Sequence, residues 1–152
     1  MYKNLIGKHS TKIKNSVERG AVKKFAEAIG DLHSIYIDEE VGKNSRYHRN
    51  IAPPTFPQVF DYGVIEGLNL PAKGLIHGEQ IFHYRRPLLV GEDLFCYSVL
   101  KNYLEKKSSK GTMGILVIEN YGEDIEGNPI FFSQMTIIIT EAVRQVMSFE
   151  ST

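Results

Sequence analysis

The sequence predicts an α+β fold in which an antiparallel sheet curves around one long buried helix. First, residues 53–70 repeat apolar side chains at helical spacing and are apolar around most of the helix. Second, four segments between residues 79 and 140 alternate their side chains in the manner of strands. Helices followed by a run of strands are the order typical of an α+β fold. The length of 152 residues suits a single domain, which we assign to residues 1–152.

The predicted central helix begins with a recognisable cap. Thr55 and Gln58 have the spacing of a capping box, and Pro57 lies in the first turn, where a missing amide donor costs nothing. One face of this helix carries Phe56, Val59, Phe60, Gly63, Val64 and Gly67. Its two glycines would let a strand or a second helix approach closely.

Four strands are predicted after this helix, at residues 79–86, 93–103, 113–121 and 130–140. Short charged or glycine-containing turns separate the last three, which therefore form an antiparallel meander that the first strand joins. A curved antiparallel sheet with a helix on its concave face is the hot-dog fold. Such a sheet leaves an edge strand uncovered, so we expect a homodimer or a heterodimer joined edge to edge.

One further helix and a long loop are predicted before the central helix. The helix carries Val22, Phe25, Ala26 and Ile29 at amphipathic spacing. Gly20 is a suitable N-cap for it, and Gly30 stands where a C′ glycine belongs. Residues 1–19 either pair as an edge strand or stay loosely ordered, and residues 31–52 read as an irregular loop with one helical turn at most. The tail after residue 140 carries no prediction.

Composition excludes several functional classes. Eighteen basic residues balance eighteen acidic ones, which argues against a general binder of nucleic acid or membrane surfaces. The single cysteine, Cys96, excludes an internal disulfide, and the N-terminus has no apolar signal region. We therefore expect a cytoplasmic protein. His77 and His83 lie six residues apart on one strand, and so on one face, too far apart to share a metal ion easily, and we predict no metal site.

Four sequence blocks resemble a known family, the MaoC-like (R)-specific enoyl thioester hydratases and dehydratases. The blocks are VKKFAEAIGD, IAPPTFP, HGEQIFHYRRPLLVGEDL and the strand after it, and they occur in the family's order. The chain is most similar to the N-terminal-type hot-dog branch, over roughly residues 15–105. The resemblance implies that the protein acts on or binds (3R)-hydroxyacyl and trans-2-enoyl thioesters in fatty-acyl metabolism.

In active members of this family an aspartate, and a histidine five positions later, hold the water that adds across the double bond. The aspartate matches Asp31. The histidine's place is taken by Tyr36, whose ordinary pKa near 10 makes it a poor proton exchanger at neutral pH. His33 lies between them on the same loop. The resemblance therefore makes Asp31, His33 and Tyr36 the candidate catalytic residues.

The resemblance also implies a substrate-binding set. In the family a backbone amide at the start of the central helix binds the thioester carbonyl, and here the donor would be Thr55 or Phe56, because Pro53 and Pro54 have no amide hydrogen. Arg85 and Arg86, with Arg46 and Arg49, are candidates for binding the phosphates of coenzyme A or of an acyl carrier protein. No further cofactor is expected.

Three functions stay open at this point. The first is a hydro-lyase, either an enoyl thioester hydratase or a 3-hydroxyacyl thioester dehydratase, that uses Asp31 with His33 or Tyr36. The second is a catalytically degenerate subunit that binds the acyl chain and completes the site of a catalytic hot-dog partner. The third is a hot-dog thioesterase, although the four blocks do not resemble that class.

Overall fold

The computed structural model describes residues 1–150, with side chains as far as residue 148. Five strands form one antiparallel sheet in the order β1-β3-β4-β5-β2. They are β1 (Ile13–Ser16), β2 (Leu75–Tyr84), β3 (Asp93–Ser108), β4 (Gly111–Asp124) and β5 (Pro129–Ile139). The predicted meander, the strand that joins it and the N-terminal edge strand are confirmed.

Within residues 1–150, four helices accompany the sheet, together with 3-10 turns at Lys3–Leu5 and Phe56–Val59. They are α1 (Arg19–Ile29), α2 (Ser34–Ile37), α3 (Glu39–Asn44) and α4 (Glu141–Glu150). Helix α1 ends as predicted, with Gly30 in the left-handed conformation at φ 71°, but its N-cap is Glu18 rather than Gly20. The loop 31–52 holds two short helices instead of one turn. None of the described helices is long and apolar enough to cross a membrane.

The predicted long central helix over residues 53–70 is wrong. Only Phe56–Val59 is helical, as one 3-10 turn, and the chain then runs through bends and turns to β2. Gly63 and Gly67 have φ values of 75° and 86°, a backbone conformation that interrupts a right-handed helix. A Cβ at Gly63 would lie 2.9 Å from the Thr11 carbonyl oxygen, so this glycine allows a close backbone approach.

Two half-buried tyrosines fasten the segment that replaces the helix. The Tyr84 hydroxyl donates to the Pro54 carbonyl, and the Tyr62 hydroxyl donates to the Pro57 carbonyl, each at 2.6 Å. Burial raises the pKa of both phenols, so they remain protonated donors. The Ser10 hydroxyl donates to the Tyr62 carbonyl at 2.5 Å and ties the segment to the N-terminal region.

The core lies on one face of the sheet, here called the inner face, and forms two clusters. The first joins α1, the 3-10 turn and the sheet through Val17, Val22, Phe56, Phe60, Leu88, Leu94, Cys96 and Phe131. The second joins the N-terminus and residues 65–70 to the other end of the sheet through Tyr2, Leu5, Ile65, Leu100, Tyr103, Leu116 and Ile139. Several short segments therefore cover the inner face of the sheet in place of one long helix.

A bulge in β2 changes which face its histidines occupy. Between His77 and Glu79, β2 has one extra residue, Gly78, which has no partner in the register with β5. His77 therefore faces Ile137 on the inner side, while His83 is paired with Phe132 on the opposite, outer face. The expectation that the two histidines share a face is wrong because the bulge shifts the alternation by one residue.

Cys96 gives a direct probe of this core. Its side chain is fully buried, and that burial raises the pKa of the thiol from 9.0 to about 12. We predict that iodoacetamide at pH 8 labels Cys96 only at the rate of global unfolding, since the thiolate is the reactive form. Because the folded pKa is raised, the thiol's stabilising contribution is constant below about pH 9 and is lost as the pH rises towards 12. Rapid labelling of the native protein, measured by mass spectrometry, would contradict this packing.

Candidate functional site

A cavity of about 380 Å³ opens where the loop 31–52 meets the end of β2. Three tyrosines and three arginines contribute to its lining: Tyr36, Tyr47, Tyr84, Arg46, Arg85 and Arg86. The remainder is aliphatic or proline, including Ile51 and Pro54. Four of these residues are candidates from the sequence, namely Tyr36, Arg46, Arg85 and Arg86, and the structure brings them together with Tyr47 and Tyr84.

Asn50 holds the loop on which the site is built. Its side chain is 1% exposed, and its Nδ2 donates to the carbonyls of Ile35 and Asp38, both at 2.8 Å. Its Oδ1 accepts a hydrogen bond from the Arg19 guanidinium at 2.9 Å. A single amide therefore joins α1, α2 and the start of α3. No motif marked Asn50 in the sequence, although it immediately precedes the IAPPTFP block.

Gly42 permits this arrangement. It is buried in α3, and a Cβ built on it would lie 2.6 Å from the Asn50 backbone nitrogen and 2.7 Å from Nδ2. The Asn50 backbone is fixed in turn, because its carbonyl accepts from the Val90 amide at 2.9 Å. The helix α3 can approach Asn50 only because position 42 has no side chain.

The three candidate catalytic residues lie in one turn, but only Tyr36 lines the cavity. Asp31 is exposed directly after the Gly30 cap, and its amide donates to the Ala26 carbonyl at 3.0 Å. His33 is exposed and caps α2, where its Nδ1 accepts from the Ile35 amide at 3.1 Å. The His33 ring is 6.0 Å from that of Tyr36, centroid to centroid.

Tyr36 is half-buried, and its pKa is raised above the usual value, first by burial and then by the charge of Asp31. Both causes favour the neutral phenol. At neutral pH the hydroxyl can donate a hydrogen bond, but it cannot serve as a base that takes a proton from water. The turn 31–36 therefore holds Asp31, His33 and Tyr36 as the sequence indicates. It does not present an aspartate–histidine pair to the cavity.

The proposed carbonyl-binding amides do not reach the cavity lining. Phe56 is 1% exposed in the core, and its amide already donates to the Pro53 carbonyl at 2.9 Å. Thr55 is exposed on the preceding turn. Of this block, Ala52 and Pro54 line the cavity, and the Pro54 carbonyl accepts from Tyr84.

The arginines of the cavity differ in their partners. Arg86 forms a two-pronged pair with Glu92, at 2.8 and 2.9 Å, which raises the pKa of the guanidinium. Glu92 also accepts from the Leu89 amide at 2.7 Å, so this pair closes the turn between β2 and β3. Arg85 and Arg46 form no ion pair with any carboxylate of the described residues, and Arg46 lies over the Tyr47 ring at 5.0 Å.

Comparison with known proteins identifies relatives. A model of the family "FAS1-like, dehydratase domain region" matches residues 4–132. A UPF0336 protein of Clavibacter michiganensis is 36% identical over 84 residues, which are 51% of this chain and 56% of that protein. A UPF0336 protein of Streptomyces avermitilis is 34% identical over 113 residues, which are 70% of this chain and 71% of that protein. The match to the first of these spans little more than half of its length.

Solved structures share the fold. The C-terminally truncated HadBC (3R-hydroxyacyl-ACP dehydratase) complex of Mycobacterium tuberculosis matches with a TM-score of 0.78 and 20% identity, over 91% of this chain and all of that one. The R-hydratase PhaJ1 of Pseudomonas aeruginosa matches with a TM-score of 0.67 and 17% identity, over 90% of this chain and 82% of that one. The ChsH1-ChsH2 complex of M. tuberculosis matches with a TM-score of 0.68 and 18% identity, over 86% of this chain and 87% of that one.

The family match confirms the resemblance to MaoC-like hydratases and dehydratases, and the structural matches confirm the hot-dog fold. At identities of 20% or less, the solved structures speak for the fold and not for the chemistry of this cavity. The hot-dog sheet is present here with a 3-10 turn in place of the long helix.

Two helical glycines form a matched pair that tests how the site loop is held. A Cβ at Gly42 meets Asn50, whereas a Cβ at Gly20 in α1 meets nothing within 4 Å. We predict that Gly42→Ala lowers the free energy of unfolding by about 1–3 kcal/mol through overpacking. Gly20→Ala should leave it unchanged or raise it by up to about 1 kcal/mol, since alanine favours helix. Urea unfolding of both variants checks this, and equal effects would contradict the packing of α3 on Asn50.

Proposed function

The chain belongs to the family of FAS1-like dehydratase domain regions, and from that premise we propose that it is the non-catalytic half of a hot-dog dehydratase pair. In this role it binds (3R)-hydroxyacyl or trans-2-enoyl thioesters and completes the site of a catalytic partner. The observation that carries the proposal is the turn 31–36. A tyrosine with a raised pKa stands where the base is needed, and the nearby histidine caps a helix.

Hydration of a double bond requires a group that exchanges protons near neutral pH. Tyr36 fails this requirement because burial and the charge of Asp31 favour its neutral form. His33 has one ring nitrogen engaged by the Ile35 amide and does not line the cavity. Asp31 alone does not make up the pair, so in this role the second proton-exchanging group comes from the partner.

The open edge of β2 supports a hot-dog partner. This strand pairs only with β5 in the described sheet, so its other side is free along ten residues. On its inner face, Gln80 carries a buried Oε1 with no hydrogen-bond donor among the described residues. A buried acceptor without a donor is unusual in a complete structure. A second chain joined along β2 would cover this edge, and two of the structural relatives are complexes of differently named chains.

The short 3-10 turn supports a role in holding the acyl chain. A long helix would fill the concave side of the sheet, whereas here Phe82, Met135 and Ile137 are only half-buried on the inner face next to the open edge. An acyl chain that enters from the partner's site would bury these side chains. The thioester would be carried by coenzyme A or by an acyl carrier protein in cytoplasmic fatty-acyl metabolism, with no other cofactor and no metal.

The second candidate is a hydro-lyase that works alone, with Asp31 and either Tyr36 or His33. The observation in its favour is that the charge of Asp31 contributes, after burial, to raising the pKa of Tyr36. It would need Tyr36 to act as an acid that donates a proton, with a base supplied by Asp31.

The experiment that separates the two is hydration of a trans-2-enoyl thioester by this chain co-purified with a catalytic hot-dog subunit from the same organism. We predict turnover by the pair that is unchanged in Asp31→Asn and lost by about 100-fold or more when the partner's own aspartate is changed to asparagine. Glu27→Gln, which removes an exposed carboxylate of α1, is the matched control. Loss of turnover in Asp31→Asn, with unfolding unchanged, would favour the self-contained hydro-lyase.

A further inference from the structure

The inner face of β2 carries a histidine without a partner among the described residues. His77 is exposed, and its imidazole forms no hydrogen bond, ion pair or ring contact there. The bulge at Gly78 turns this side chain inward, because regular alternation from Glu79 on the outer face would put residue 77 on the outer face as well. Bulges occur beside active sites, where they redirect one side chain.

His77 lies at the opposite end of β2 from the cavity of its own chain. That cavity is lined by Tyr84, the last residue of β2, and by Tyr36 from the turn that corresponds to the family's proton-exchanging pair. Six steps along the paired strand separate His77 from Tyr84, which is about 20 Å at the rise of an antiparallel strand. The imidazole is therefore too far away to act in the cavity of its own chain.

A partner joined along β2 reverses this relation. Two sheets of the same fold that meet at the same edge strand are related by a two-fold or pseudo-two-fold axis, so their β2 strands run antiparallel. Pairing over all the residues of β2 that are in register with β5 puts His77 opposite the position of the partner subunit that is equivalent to Phe82. The next inner-facing position on that strand is the equivalent of Tyr84, which lines the cavity.

The same pairing covers Gln80, which is the inner-facing residue next to His77 in the register with β5. The Oε1 atom of Gln80 is buried with no hydrogen-bond donor among the described residues. In the full-length pairing, the position of the partner subunit that is equivalent to Gln80 lies opposite it, and a polar side chain there would supply the donor. Two polar groups on the inner side of β2 are therefore completed from across the same edge.

We propose that His77 is the residue which this chain contributes to the site of its catalytic partner, where the imidazole hydrogen-bonds the oxygen-bearing end of the bound thioester. A neutral imidazole has one donor and one acceptor, so it can bind either a thioester carbonyl or a 3-hydroxyl group. Inner-facing residues pair with inner-facing residues in this register, which keeps His77 on the inner side of the joined sheet. The inference rests on the proposed function for the existence of the partner, and it names the residue through which the partner's site is completed.

The test uses the two histidines of β2 as a matched pair of positions. Both are exposed on the same strand, but His77 faces the inner side and His83 the outer side. In the complex of this chain with its catalytic subunit, we expect His77→Leu to lower kcat/KM for a trans-2-enoyl thioester by about tenfold or more, because hydrogen bonds to the substrate are lost. His77→Gln keeps a donor and an acceptor and should lose less than about threefold. His83→Leu is the control and should leave kcat/KM unchanged.

A thiol at position 77 locates the contact without turnover. The partner's own aspartate is changed to asparagine, so that a bound trans-2-enoyl thioester is not hydrated. In His77→Cys the thiol sulfur then bonds to the β-carbon of the thioester while its proton goes to the α-carbon, and mass spectrometry of peptides maps the adduct. We expect an adduct at position 77 in the complex, none at position 83 in His83→Cys, and none at the buried Cys96.

An unchanged kcat/KM in His77→Leu, an equal loss in His77→Leu and His83→Leu, or the absence of an adduct at position 77 overturns the inference. Light scattering checks that each variant still assembles with the partner, and where His77→Leu does not assemble, the adduct in His77→Cys decides. A complex that turns over and does not depend on His77 contradicts this inference alone. A chain that joins the catalytic subunit without raising its turnover contradicts the proposed function.

Discussion

The buried amide of Asn50 is the contact on which the site depends. A buried polar side chain is stable only when its donors and acceptor are satisfied, and each of the three partners of Asn50 lies on a different segment. The loop 31–52 has little apolar core of its own, so these bonds and the close approach of Gly42 determine its conformation. In that conformation Tyr36 lines the cavity, and the His33 side chain accepts a hydrogen bond at the start of α2.

The second constraint is the segment that replaces the central helix. Gly63 and Gly67 take left-handed backbone conformations, and two tyrosine hydroxyls hold the carbonyls of Pro54 and Pro57. The segment therefore packs as an irregular chain of bends and turns and leaves part of the inner face near β2 only half-covered. The turn 31–36 has no aspartate–histidine pair lining the cavity, and the inner face near β2 is only half-covered. The proposed role, a subunit that completes a partner's site, would account for both features.

The strands were predictable because one face of the sheet is buried, so apolar residues alternate in β3, β4 and β5. The ends of the strands were not predictable. The hairpin that joins β3 to β4 extends through exposed polar residues such as Lys106 and Lys107, where no apolar alternation marks a strand. The helix prediction failed because the spacing of Phe56 and Phe60 suits a buried irregular segment as well as a helix face, and Val59 and Val64 of the predicted face are exposed. The conformation of the glycines, which decides between them, is not visible in apolar spacing.

For the site, the resemblance located the turn around Asp31 and the arginine pair, but not the partners that determine their roles. Arg86 forms an ion pair with Glu92, which lies across the turn between β2 and β3, whereas Arg85 has no ion pair among the described residues. This difference cannot be read from the two adjacent arginines in the sequence. Asn50 and Gly42 carry no chemical signature, since their importance arises from contacts between segments distant in the sequence. Residue identity thus predicted a set of candidate residues, and tertiary contacts determine which of them line the cavity and which already have partners.

The most direct test of the account is a single-turnover measurement on this chain without a partner. The protein in excess over a trans-2-enoyl thioester, in deuterated water, is quenched over time and analysed by mass spectrometry. The account predicts that the thioester is bound and recovered unchanged, because no group in the turn 31–36 both reaches the cavity and accepts a proton. Formation of the 3-hydroxyacyl thioester with deuterium at the α-carbon would show a working acid–base pair and contradict the account.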